Sequence, residues 1–137
     1  MEYQKCKNMS YYFNTVLNNT SYEQAIDLVT AALKEEGFGV LTRIDVKETL
    51  KQKIDADFRK YIILGACNPH FAHKVLQIEP KLGVLLPCNV VVEEHENGDV
   101  EVSAVDPVVM MTPIRSTELE VLAAEISEKL RRTIQSL

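Results

Sequence analysis

The sequence predicts a single α+β domain in which helices pack on one face of a largely antiparallel sheet. Three observations lead there. Strand-type runs and helical stripes follow one another in the order β-α-β-α-β-α-β-β-α, with no internal repeat and no linker rich in Gly, Ser or Pro. Asn97-Gly98 lies between two alternating runs and signals a hairpin, whereas a doubly wound parallel sheet needs a crossover helix between every pair of strands. The 137 residues, 46% of them hydrophobic, support one modest core and hardly two. Residues 1–9 read as a polar N-terminal extension, with Met9 an alternative start, and residues 10–137 as the domain.

Tyr11 to Leu17 carries aromatic and β-branched residues and is bounded by Asn18-Asn19, as a strand should be. Ser21 with Gln24 three residues on is a capping box. Tyr22, Ala25, Ile26, Val29, Ala32 and Leu33 then share one helical stripe, which Gly37 ends. Phe38 to Ile44 is the second strand. Asp45 caps a short helix to about Ile54, with Val46, Leu50 and Ile54 four apart. Lys60 to Ala66 is an apolar strand. Asn68-Pro69 supplies a cap and a first-turn proline for a helix that reaches about Ile78 and stops before Pro80. Gly83 to Glu93 is expected as one long strand broken by Pro87, at a bulge or on an edge. Asp99 to Val105 pairs back across a tight turn, its alternation leaving one face of the hairpin to water. Val108 to Met111 is an apolar stretch outside any element, which favours cover by another subunit. Thr117 to Leu137 closes the chain as an amphipathic helix, its acids early and its bases late, as the helix dipole prefers.

Charge and composition exclude several classes. With 15 Lys+Arg against 20 Asp+Glu the net charge is −5, the wrong sign for nucleic acid or an anionic membrane as main partner. No apolar run approaches the roughly 20 residues of a membrane span, and the first residues hold no apolar stretch of a secretory signal. The cysteines, Cys6, Cys67 and Cys88, are odd in number and do not read as a disulfide framework, so a reducing cytoplasm is the expected location. There is no Cys-x-x-Cys, His-Glu-x-x-His, phosphate-binding Gly-x-x-x-x-Gly-Lys-Ser/Thr or Gly-x-Ser-x-Gly. Gly37-Phe38-Gly39 follows a helix and precedes a strand, the reverse of a dinucleotide loop. No cofactor is named by these patterns.

One constellation concentrates chemistry: Gly65-Ala66-Cys67-Asn68-Pro69-His70, with Leu86-Pro87-Cys88-Asn89 some twenty residues on. Cys67 sits at a strand end before a helix N-terminus, whose unpaired N–H groups favour a thiolate. Cys88 follows Pro87 at a break in strand pairing, where a side chain can be re-aimed. If the third and fourth strands are neighbours, the two sulfurs could face a common pocket. Against this, free cysteine is among the most buried residue types and usually packs as a small hydrophobe. Asn68 is a cap in either case. His70 and His73 share a helix face and with Cys67 could supply three zinc ligands, but His-x-x-His alone is too weak to assign a metal site. His95, among Glu93, Glu94 and Glu96, reads as a solvated acidic tip, and Asp106 as an extended exit before Pro107.

Gly37-Phe38-Gly39-Val40-Leu41 with Ile44-Asp45, Leu64 to Pro69, Leu85 to Val92, and Asp106-Pro107 together resemble the domain of unknown function 302 family over residues 10–135. The resemblance implies a TATA-binding-protein-like α+β fold in a single copy, with added helices, in small bacterial or archaeal proteins that form homodimers. It supplies no substrate. It does add weight to Cys67 and Cys88, which match the family's motif, whereas His70 and His73 do not belong to it. The leading expectation is a homodimeric protein that holds a small ligand or thiol-reactive species around Cys67, Asn68, Pro87 and Cys88. The alternatives are a redox protein or enzyme using a Cys67 thiolate with Cys88 as resolving partner, and an interaction module with both cysteines in the core.

Overall fold

The computed structural model describes residues 10–137; the extension expected at 1–9 lies outside the described residues. The elements in chain order are β1 (Tyr12–Leu17), α1 (Tyr22–Glu35), β2 (Gly39–Asp45), α2 (Val46–Ile54), β3 (Tyr61–Cys67), α3 (Pro69–Ile78), β4 (Cys88–Glu94), β5 (Val100–Val105), α4 (Pro107–Met110) and α5 (Thr117–Gln135). The five strands form one antiparallel sheet in the order β1-β5-β4-β3-β2. The fold is the expected mixed α/β class, with strand ends and helix caps close to where the sequence puts them. Ser21 and Gln24 exchange the two capping-box hydrogen bonds. Asp45 caps α2 and Asn68 caps α3.

Alternation divides the sheet into two unlike faces. One face carries Leu64, Val90, Val92, Val100, Val102 and Ala104, and these are buried against Leu33 and Val29 of α1, Val75 of α3 and Leu119, Ile126 and Leu130 of α5. On the other face the strand side chains are half-buried or exposed, Gly65 excepted. Its middle row reads Asn14, Ser103, Val91, Ile63 and Ile44 across the five strands, and the next row reads Val16, Glu101, Glu93 and Tyr61.

Two local expectations need correction, and the expected tight turn at Asn97-Gly98 takes a specific form. The strand expected from Gly83 to Glu93 begins only at Cys88; Pro80–Leu85 is a 3-10 turn. Pro80 opens that turn, the Glu79 carboxylate accepts from the Lys81 N–H, and Leu82 drops into the core, so burial is satisfied without strand pairing. The apolar stretch after Asp106 is not irregular. Asp106 caps α4, and the stretch buries Pro107 and Met111 while leaving Val108, Val109 and Met110 exposed. The hairpin turn holds one more residue than a two-residue turn at Asn97-Gly98: His95 and Asp99 close it, and Gly98 takes the left-handed conformation at φ +91°.

Candidate functional site at the start of β4

Gly65 is where the site begins. It lies mid-β3 on the second face, opposite Thr42 of β2 and Asn89 of β4. A Cβ there would meet Thr42 Oγ1 at 2.1 Å and Pro87 Cγ at 2.8 Å. Only glycine lets Pro87 lie down across this face, so Gly65 and Pro87 form one packed unit and the chain enters β4 over it. Cys88 follows on the helix side, opposite Ala66 and only 7% exposed. Burial pushes its thiol up to about 11, and a charge on Cys67 would add to that.

Cys67 is the residue after Ala66, so alternation turns it away from Cys88; it is half-buried, and both thiols are free. Asn68 acts as a brace. Its Oδ1 accepts from the Phe71 N–H at 3.2 Å, and its Nδ2 stands 3.2 Å from where a Cβ on Gly37 would lie, just after α1. The structure therefore brings all four predicted residues to one corner but gives them different work. Pro87 and Cys88 line a cavity, Cys67 sits beside them on a neighbouring strand end, and Asn68 joins two helix termini.

The cavity is a narrow slot of about 70 Å³ between Leu86, Pro87 and Cys88 on one side and Pro107, Met110 and Met111 on the other. Asn89 is the one polar residue among the described residues lining it. Through Asn89, Val105 and Met110 the slot adjoins a wider groove of about 510 Å³ on the second face, which Tyr11, Tyr61 and Ser103 also border. Farther along that groove Glu93 and Glu101 stand directly opposite each other, with side chains only 15% and 19% exposed. Facing like charges is unfavourable, and each carboxylate is held from the side. Arg59 bridges Glu93 at 2.9 Å, and its guanidinium lies over the Phe58 and Tyr61 rings. The Asn14 amide donates to Glu101 at 2.6 Å, and His95 Nε2 lies 2.8 Å from its other oxygen. Burial, and then Glu93, push the Tyr61 phenol up.

The sequence missed two parts of this arrangement. Asp106 accepts from both the Val108 N–H and the Ser127 hydroxyl, 3.0 and 2.8 Å, and so fixes α4 as one wall of the slot. The signal was present, since Asp106-Pro107 repeats the cap-then-proline pattern of Asn68-Pro69. His95 is not a solvated tip, because it reaches back to Glu101. His70 and His73 are both exposed on α3, and among the described residues no group of three His, Cys, Asp or Glu is placed to hold a metal. Another depression of about 530 Å³ lies between α3 and α5, around Ile78, Val121 and Leu122, and includes neither Cys67 nor Cys88 in its lining.

Comparison with known proteins agrees with the fold. A crystal structure described as an uncharacterized conserved protein DUF302 from Bacillus stearothermophilus superposes with a TM-score of 0.83 at 31% identity, covering 91% of this chain and 96% of that one. An uncharacterized protein of Aquifex aeolicus (strain VF5) is 28% identical over 85 residues, 62% of this chain. The match spans about half the length of that curated relative, 53%. The model of the family described as domain of unknown function DUF302 matches residues 13–137, essentially the whole domain, and the chain belongs to that family.

Proposed function

We propose that this chain is a homodimeric binding protein of the cytoplasm that takes a small ligand at the corner built on Gly65, Pro87 and Cys88. One observation carries the reading: a small, mostly apolar slot shares Asn89, Val105 and Met110 with a wider groove that also carries Tyr61, Ser103, Glu93 and Glu101. Pockets of this kind are mostly apolar, with a few polar groups to fix orientation, and Asn89, Ser103 and Tyr61 are disposed to serve that role. Met110 borders the same mouth, and with the neighbouring exposed Val108 and Val109 it supports a second copy as the cover for this rim. Thiol chemistry is the weaker reading. A Cys88 thiol pushed up to about 11 stays protonated near neutrality and is a poor partner for a Cys67 thiolate.

Methyl NMR with a fragment library tests this. The expected result is that binding fragments move the methyl signals of Leu86, Val105, Met110 and Met111. Fragments that gather instead at Ile78, Val121 and Leu122, or no binding at all, would overturn the assignment. The dimer is checked on the same samples by sedimentation equilibrium, where Val109→Lys should weaken association without unfolding the chain.

A further inference from the structure

We infer that the slot takes the end of a short unbranched aliphatic chain, two to three methylene groups deep, whose polar end carries no negative charge. This rests on the binding reading above and adds the chemical class. The depth is argued from size: about 70 Å³ is under half of the roughly 150 Å³ of a cavity that takes benzene, which suits a chain end better than a ring. The chemistry follows from the walls. Apart from Asn89 the described residues lining the slot are apolar, and Cys88 presents a neutral thiol, so a charged group would lose its hydration there without a partner. The polar end must therefore stay at the mouth, beside Asn89 and Ser103. Glu101 lies two residues before Ser103 on the same face of β5, with Glu93 across from it, and both border the same groove. The pair sets two carboxylates against the Arg59 guanidinium on Glu93, with His95 and not a permanent cation on Glu101, and so disfavours an anionic head.

The test is a titration of methyl signals at Met110 and Met111 with straight-chain alcohols from ethanol to hexanol, and with butyrate beside butanol. Affinity should rise about threefold to fourfold for each methylene that enters the slot and then level off by about four carbons. Butyrate should bind several-fold more weakly than butanol, and a Glu93→Gln, Glu101→Gln variant should narrow that gap. A rise that continues unchanged to hexanol, or butyrate binding as well as butanol, would overturn the inference while leaving the corner a binding site. If no alcohol moves these methyls but larger fragments do, the class is wrong and the site stands. If nothing moves them, site and class fall together.

Discussion

The two faces of this sheet share one backbone, but one is apolar and buried while the other mixes apolar residues with polar and charged ones. On the helix side, Leu64 and Val90 are fully buried, and apart from Glu94 at the end of β4 every second residue of β3, β4 and β5 there is apolar. On the other side the same strands carry Gly65, Asn89, Ser103, Glu93 and Glu101, placed between residues of the first set. The lesson is a division of labour. Burial of apolar area stabilises the domain through one face, and the proposed binding site makes use of the other, unevenly filled one. Each strand serves both ends because its side chains alternate.

The largest effect should come from breaking the helix side. Leu64→Ala removes a side chain with no exposure from the centre of the core, and should cost about 2–5 kcal/mol in urea unfolding. Gly65→Val, one residue along and on the other face, sharpens the comparison, because this one position of that face should behave like core. The added side chain must displace Pro87 and Thr42, with an expected loss of about 1–3 kcal/mol or more. Milder variants there should disturb the slot before they unfold the chain.

Cys88 gives a pH dependence with a definite sign. Its folded value of about 11 lies above the ordinary thiol value of 9.0, so its contribution is complete below pH 9 and is lost as the pH rises toward 11. The loss is on the order of 2 kcal/mol. Comparing the alkaline limb of urea stability in wild type and Cys88→Ala should show that component missing from the variant. Asn68→Ala should cost about 1 kcal/mol as a lost helix cap with thiol reactivity unchanged, since its work is structural. The smallest effect lies on the acid side. The Arg132 guanidinium beside Glu36 holds that carboxyl below the usual range, so its contribution is present at neutral pH and fades as the pH falls through the folded value. Glu36→Gln should flatten the acid limb of the stability curve slightly.

Local signals made most of the fold legible. Ser21 with Gln24, Asp45, and Asn68-Pro69 act through hydrogen bonds to residues two or three positions away, and such bonds survive in any tertiary setting. The corner was legible as a cluster of residues but not as a geometry. Nothing local in Pro80 to Leu86 distinguishes a 3-10 turn from a strand; Leu82 decides it by reaching the core. The register of the hairpin was also out of reach. A two-residue turn at Asn97-Gly98 would set Glu94 opposite Glu101. The longer loop instead brings Glu93 to Glu101 and puts the carboxylate pair on the open face. The slot depends on that long-range register and on α4 folding back under Asp106, contacts between residues far apart in sequence.

The most direct test uses two neighbours of equal size, Val90 and Val91, which point to opposite faces of β4. Each is truncated to alanine, and urea unfolding is measured beside dimer affinity. Val90→Ala should lose about 2 kcal/mol of stability and leave association of the folded chain unchanged. Val91→Ala should lose less than about 1 kcal/mol and change association or fragment binding. Equal stability losses, or association that responds to Val90 and ignores Val91, would contradict the division of the sheet into a stabilising face and a recognising one.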